Sequence, residues 1–351
     1  MAKKNSGTEV KLNYAQEIRR LKEEGPQRLY LLWGKEDYLR EQYLLQLKKI
    51  CLPEGEDSFS YRRLNGPELD LLALREAVDA MPFMTERSFV EIRDADLNKL
   101  KEPEATLELL TDLPDYCTVV FVQGVSFEPD GRLKFIKGLR AAARELLFSQ
   151  QSQSALVEWI GRRFAACGKS IELEAAQRLI FISGDLMNRL IPEIEKVAAY
   201  ARSGKVTTAD VEAVANHIPE AVIFEMTDCI SQKQYNNALA ILAELLADKN
   251  NEPIPMVAML GVQMRNLYAA RLALDKNLGI NYLMDSGAVK YDFQARKLLQ
   301  AARGFRMEQL RRAVELCAET DYRMKSSASD DRELLKELVL RIAAGETDGA
   351  R

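Results

Sequence analysis

Leu29–Trp33 reads LYLLW, a run of strand length without a polar break. The chain behind it turns at once to helical spacing, with Leu39, Tyr43, Leu44 and Leu47 on one side. A strand that is apolar on both faces must be covered on both, and such a strand leading directly into a helix opens an α/β unit. The alternation then repeats. FSYRRLN (Phe59–Asn65) predicts a strand, Pro67–Asp79 a helix with proline in its first turn, Ser88–Asp94 a strand and Pro103–Thr111 a short helix. Thr118–Gln123 predicts a second fully apolar strand, Arg132–Ala143 a helix and Glu145–Ser149 a last strand. Ahead of them, Leu12, Ala15, Ile18 and Leu21 recur at helical spacing until Gly25-Pro26 stops the helix. Strands alternating with helices in this way predict a mostly parallel three-layer α/β domain over 1–149.

After Ser149 the strand signals stop. Gln150–Ser154, QQSQS, has the polarity of a linker, and Ala155–Cys167, Leu173–Ser183, Leu186–Ala201 and Thr208–Val214 predict a compact helical set over 150–217, with Thr207 or Thr208 capping the last helix. His217-Ile218-Pro219 marks the next boundary. From there to residue 351 the chain predicts an all-α domain, with helices near Ile223–Ser231, Tyr235–Ala247, Ile254–Asp275, Tyr291–Ala302, Met307–Lys325 and Asp330–Ala343.

Composition narrows the function by exclusion. Forty-nine basic against fifty-three acidic residues give a net charge of −4, which argues against a surface devoted to nucleic acid. No apolar run approaches the length of a membrane span, and MAKKNSGTEVK has a charged start without an apolar core, so neither a span nor a signal peptide is expected and the cytoplasm is the expected location. Five cysteines lie far apart and never in CxxC spacing, which suits reduced thiols. A single histidine, His217, removes the usual partner of zinc sites, Ser-His-Asp triads and Cys-His pairs, and its place at a domain junction predicts a structural or solvated role.

Two phosphate-site decoys fail on spacing. In LLWGKEDYL the glycine that a P-loop needs five residues before Gly34-Lys35 is Leu29, inside the strand, and Glu36 and Asp37 set carboxylates where a phosphate would meet the helix N-terminus. In Gly168-Lys169-Ser170 the required glycine is Arg163, and the tripeptide joins two helices, so Gly168 predicts a helix C-cap. The acidic pairs Glu102/Glu104, Asp94/Asp96 and Asp330/Asp331 predict helix starts and turns, the basic pairs Arg62-Arg63, Arg162-Arg163 and Arg311-Arg312 solvated faces, and Met256–Met264 core packing. No catalytic residue, metal ligand or cofactor follows from this inventory. It describes an interaction protein more than an enzyme.

One stretch stands apart. In AMPFMTERSFVEIRD (Ala80–Asp94), Pro82 forces a turn that puts Phe83 and Met84 on a loop directly before an anchoring strand. From the residues alone, two readings stand: the pair folds back as core, or it forms an apolar plug offered to a partner's pocket.

LYLLWGKEDYLREQ, AMPFMTERSFVEIRD, CTVVFVQ, SGDLMNRLIPEIEKVAAYARSGKVTTADV and AETDYRMKSSASDDRELLKELVLRI, in that order, resemble the delta subunit of the bacterial replicative DNA polymerase clamp loader over nearly the whole chain. The resemblance implies an AAA+-type α/β domain without a working nucleotide site, a small helical lid and a helical collar that oligomerises with the gamma/tau and delta prime subunits. It implies a protein of the DNA polymerase III holoenzyme, a nucleotidyltransferase complex, with no catalytic site of its own. In that family two adjacent hydrophobic residues on the loop before the third strand enter the pocket of the sliding clamp and open its ring. Those positions are Phe83 and Met84, with Pro82 and Arg87 as supporting members; the second position is often aromatic, and Met84 departs from that. Contact with primer-template DNA would come as part of the complex. The competing expectation is an AAA+-like ATPase that hydrolyses nucleotide in a degenerate site at Lys35.

Overall fold

The computed structural model describes residues 13–53, 55, 59–83, 85–248, 251–326 and 330–345. The chain forms two compact units, divided between Ser152 and Gln153 except that Leu186–Asn188 group with the first.

In the first unit, helix α1 (Tyr14–Glu24) leads into β1 (Leu29–Trp33), α2 (Asp37–Cys51), β2 (Tyr61–Asn65), α3 (Leu71–Asp79), β3 (Ser88–Arg93), α4 (Pro103–Thr111), β4 (Cys117–Val122), α5 (Lys134–Ala142) and β5 (Arg144–Leu147). The strands form one sheet in the order β2-β3-β4-β1-β5, and every pairing is parallel. The alternation of side chains across each strand divides the core in two. Leu29, Leu31, Val90, Ile92, Val119 and Phe121 meet Leu74 and Val78 of α3, Leu110 of α4 and Ile136 and Leu139 of α5 on one face. Tyr30, Leu32, Phe89, Val120 and Val122 meet Leu21 of α1 and Tyr43, Leu44 and Leu47 of α2 on the other. Each such buried side chain stabilises by about 1.5–3 kcal/mol relative to exposure, which is why the inner strands read as unbroken apolar runs.

Several boundaries differ from expectation for local reasons. The helix expected over Pro67–Asp79 is a 3₁₀ turn, Gly66–Glu68, followed by α3, because Asp70 is extended and accepts the Ala73 N–H at 2.7 Å as an N-cap. β2 begins at Tyr61, two residues later than FSYRRLN predicts, and leaves Phe59 and Ser60 in a turn. β5 ends at Leu147, and the backbone of Phe148 then bonds to the chain that leaves β1: its N–H donates to Trp33 O at 2.8 Å and its carbonyl accepts from Glu36 N–H at 2.9 Å.

The second unit contains α6 (Gln153–Ala166), α7 (Leu173–Ser183), α8 (Met187–Tyr200), α9 (Thr208–Val214), α10 (Pro219–Ser231), α11 (Tyr235–Ala247), α12 (Pro253–Asp275), α13 (Ile280–Asp285), α14 (Asp292–Ala302), α15 (Met307–Ser326) and α16 (Asp331–Ala344). It is not purely helical. Ser170–Ile171 (β6) and Lys205–Val206 (β7) pair in parallel, a two-residue ladder too short to leave a periodic signal. Thr207 caps α9 in a reciprocal capping box with Asp210. The long α12 packs against α10, α14, α15 and α16, and its Met256 and Met264 are buried core, as expected.

Candidate functional site

Apolar side chains stand in water where the chain enters the sheet. α3 ends at Asp79, Ala80 takes an extended conformation, and the loop runs to Ser88 at the start of β3. Met81 is 80 % exposed and Phe83 60 % exposed, so Phe83 does not fold back as core. Phe59, in the turn before β2, is 78 % exposed and meets Phe83 edge to face, with ring centroids 6.0 Å apart and planes at 88°. Pro82 and Arg87 are half-buried, and Arg87 donates to the Asp115 carbonyl at 3.3 Å, tying the end of the loop to the connection before β4. Met84 lies outside the described residues.

The backbone of this loop is held by one buried side chain. Ser60 Oγ accepts the Phe83 N–H at 2.9 Å and donates to the Phe83 carbonyl at 3.2 Å, while the Thr85 hydroxyl lies 2.6 Å from Ser60 Oγ and 2.9 Å from the Arg87 carbonyl. The main chain of Ser60 in turn accepts from Phe89 N–H of β3 at 2.8 Å. Sequence reasoning singled out Phe83, Pro82 and Arg87 on this loop and passed over Phe59, Ser60 and Met81, which the structure brings beside them. Phe59 was hidden as the first residue of a strand pattern, and Met81 stood before the proline with no periodicity to mark it.

Beyond the other ends of β1 and β3, the Gly34-Lys35 decoy is closed by its own residues. Gly34 has φ +124°, and a Cβ there would stand 2.4 Å from the Phe148 carbonyl oxygen, so this glycine serves a close backbone approach. Arg40 is buried and donates to the Gly34 carbonyl at 2.9 Å; burial pulls its guanidinium below its usual pKa. Arg93 makes a bidentate pair with Glu41, both bonds 2.8 Å, and a further bond to Glu91. Glu91 is fully buried and is also met by Lys48 Nζ at 2.5 Å and the Tyr61 hydroxyl at 2.9 Å. Burial pushes the Glu91 carboxyl up, but the hydrogen bonds and charges of Lys48 and Arg93 outweigh it and hold the group below the usual carboxylate range. Lys35 itself is exposed.

At the second decoy, Gly168 has φ +73°, its N–H bonds to Ala165 O and that of Lys169 to Phe164 O, the two bonds of a Schellman cap. Lys169 Nζ donates to the Ala201 and Ser203 carbonyls at 2.6 and 3.0 Å, so the lysine fastens the turn before β7. His217 lies between Glu225 at 3.4 Å and Glu212 at 3.7 Å, two carboxylates that also pair with Arg178, which is the structural one of the two roles its position predicted.

Asp330 caps α16 through the N–H of Arg332 and Glu333, while Arg162 and Arg312 pair with Glu158 and Glu319 on their own helices. Arg62 and Arg63 stand exposed on the edge strand β2. All five cysteines are free; burial pushes the Cys51 thiol up to about 11 and that of Cys317 up to about 12, as inert thiols require. Among the described residues no group of three His, Cys, Asp or Glu side chains could hold a metal ion, and no helix is long and apolar enough to cross a membrane.

Two family models match the chain: "DNA polymerase III, delta subunit" over residues 30–146 and "DNA polymerase III delta subunit, C-terminal domain" over residues 220–342. DNA polymerase III subunit delta of Bacillus subtilis (strain 168) is 23 % identical over 322 residues, covering 90 % of this chain and 92 % of its own. A probable DNA polymerase III subunit delta of Aquifex aeolicus (strain VF5) is 24 % identical over 329 residues, covering 89 % and 90 %. The solved structure of the Bacillus subtilis DNA clamp loader delta protein is similar with a TM-score of 0.55 at 23 % identity, covering 94 % of this chain and 99 % of that one.

Proposed function

This chain belongs to the DNA polymerase III delta subunit family, the clamp loader delta subunits of DNA replication with an AAA+-like α/β domain followed by helical domains, and from that premise we propose that it binds the sliding clamp through the loop Ala80–Arg87 and opens its ring. The observation that carries the proposal is the exposed Phe83 ring, fixed at the backbone yet left in water beside Phe59. A side chain excluded from the core and held in one place is the form that an interface anchor takes. Phe83 and Met84 enter the clamp's pocket in this reading, with Pro82 shaping the turn and Arg87 fastening its end. Ring opening then needs only that the protein bind the open clamp better than the closed one, because a ligand shifts an equilibrium by its differential affinity.

The helical part divides, in this reading, into a lid over 150–217 and a collar over 218–351 that meets the gamma/tau and delta prime subunits, with primer-template DNA reached within the assembled loader. The start of α10 at Pro219 and of the C-terminal family match at residue 220 support that boundary. The Arg40 bond to Gly34 and the buried Glu91 network support a subunit that responds to nucleotide on its neighbours instead of holding its own. Binding to the sliding clamp of the same organism tests the reading. The parent chain should bind, and a Phe83→Ala/Met84→Ala variant with an unchanged circular dichroism spectrum should bind at least roughly 30-fold more weakly, the equivalent of about 2 kcal/mol. Equal affinity of the two proteins would return the loop to a structural role, and saturable nucleotide binding by the chain alone would restore the ATPase alternative.

A further inference from the structure

Exposed aromatic rings on loops ordinarily lose their orientation, because fixing one residue's backbone costs about 1–2 kcal/mol and a surface loop has few groups to offset it. Phe83 is different. The two hydrogen bonds that its peptide makes to the buried Ser60 hydroxyl, at 2.9 and 3.2 Å, reproduce at one side chain the donor-and-acceptor exchange of a strand pair. Ser60 is itself fixed: it is 2 % exposed, its carbonyl is bonded to β3, and the next residue, Tyr61, begins β2 with its hydroxyl on Glu91. The rigidity of the sheet therefore reaches the Phe83 peptide through the Ser60 hydroxyl. Phe59, immediately before Ser60, sets its ring edge-on to that of Phe83.

We propose that Ser60 is the positioning residue of the clamp-contact loop: its hydroxyl locks the Phe83 peptide so that the Phe83 ring, braced by Phe59, is presented to the clamp already formed. The proposal rests on the reading that Phe83 meets the clamp. Binding then costs little ordering of the loop, because the rings do not have to be gathered at the interface. If Ser60 loses its hydroxyl, the Phe83 N–H and carbonyl lose a buried partner, and the loop must find another conformation or water.

The test compares the full chain with Ser60→Ala, Ser60→Thr, Phe83→Ala and the Ser60→Ala/Phe83→Ala double variant. Affinity for the same organism's sliding clamp and hydrogen exchange at the Phe83 amide are both read. Ser60→Ala is expected to weaken clamp binding roughly tenfold and to speed exchange at Phe83 while the melting transition stays cooperative. Ser60→Thr, which keeps the hydroxyl, should recover most of the affinity. The double variant should bind no more weakly than Phe83→Ala alone, because both changes remove the same contact. If Ser60→Ala does not fold, Thr85→Val carries the same two measurements from the other side of the lock. Phe83→Ala weakening binding while Ser60→Ala leaves it within about twofold would overturn the lock and spare the clamp reading. Full affinity in Phe83→Ala would remove both. Weaker binding by Ser60→Ala with unchanged exchange at Phe83 would also defeat the proposal, since the serine would then act by another route.

Discussion

At the ends of β1 and β3 where open α/β sheets take up ligands, this chain sets polar group against polar group: Arg40 on the Gly34 carbonyl and Arg93 on Glu41, with Glu91, inside β3, held by Arg93 and Lys48. At the opposite edge of the sheet, ahead of β2 and β3, it leaves Phe59, Met81 and Phe83 in water. Buried ions cost desolvation and must be paired, whereas an exposed ring gains no burial, so the two ends are held by different physics. The difference teaches where to look for function in a sheet of this kind. Hydrogen bonds among polar groups at the ligand end occupy part of its chemistry, whereas apolar groups left exposed at the other end keep theirs available.

The largest expected effect breaks the first half of the comparison. Lys48→Met takes one of two cations from the buried Glu91 carboxylate, leaving Arg93, and should lower stability by about 3 kcal/mol in urea denaturation at neutral pH, with little change in clamp affinity wherever the protein is still folded. The pH dependence has a definite sign. Because the folded state holds the Glu91 carboxyl below its ordinary value, this group contributes stability above its unfolded pKa and loses it as pH falls through the folded one. Glu91→Gln should therefore flatten the acid limb of a stability-against-pH curve, and an acid limb as steep as the parent's would assign acid sensitivity elsewhere.

Phe83→Ala sharpens the second half by inverting that pattern. Removing an exposed ring should change stability by no more than about 0.5 kcal/mol, yet cost about 2 kcal/mol or more in clamp binding. A change in melting temperature without a change in affinity would show that the ring is serving the fold. Phe59→Ala should follow in the same direction with a smaller loss, about 0.5–1.5 kcal/mol, the range of one aromatic pair, read in the same titration.

How much of this was legible from the sequence follows the same physics. LYLLW and CTVVFV announced buried inner strands because a parallel strand covered on both faces leaves no polar positions. The failed spacing at Gly34 and at Gly168 was legible because phosphate loops require glycines at fixed distances. The loop was legible through Pro82, but its composition was not: Phe59 and Phe83 meet across 24 residues through β2–β3 pairing, and contact of that kind leaves no local pattern. Ser60 was silent for the same reason, one serine whose bonding partners are set only by the fold. Asp70 overrode Pro67 as a helix start because a side-chain cap on a backbone N–H outweighs a preference of φ alone.

The smallest expected effect is the one that most cleanly separates a relic from a working site. Lys35 stands at the position where an ATPase would keep its phosphate lysine, exposed at the junction of β1 and α2. Such a lysine acts only together with free backbone N–H groups that wrap the phosphates. Here the Glu36 N–H is already committed to Phe148, and Arg40 holds the Gly34 carbonyl, so two groups of the turn that would have to serve such a cradle are taken. Lys35→Ala should accordingly leave stability within about 0.5 kcal/mol and leave ATP hydrolysis by the reconstituted loader unchanged. A fall in hydrolysis with the subunit still assembled would mean that the ligand end of the sheet retains its chemistry after all, and the contrast between the two ends would then be one of degree.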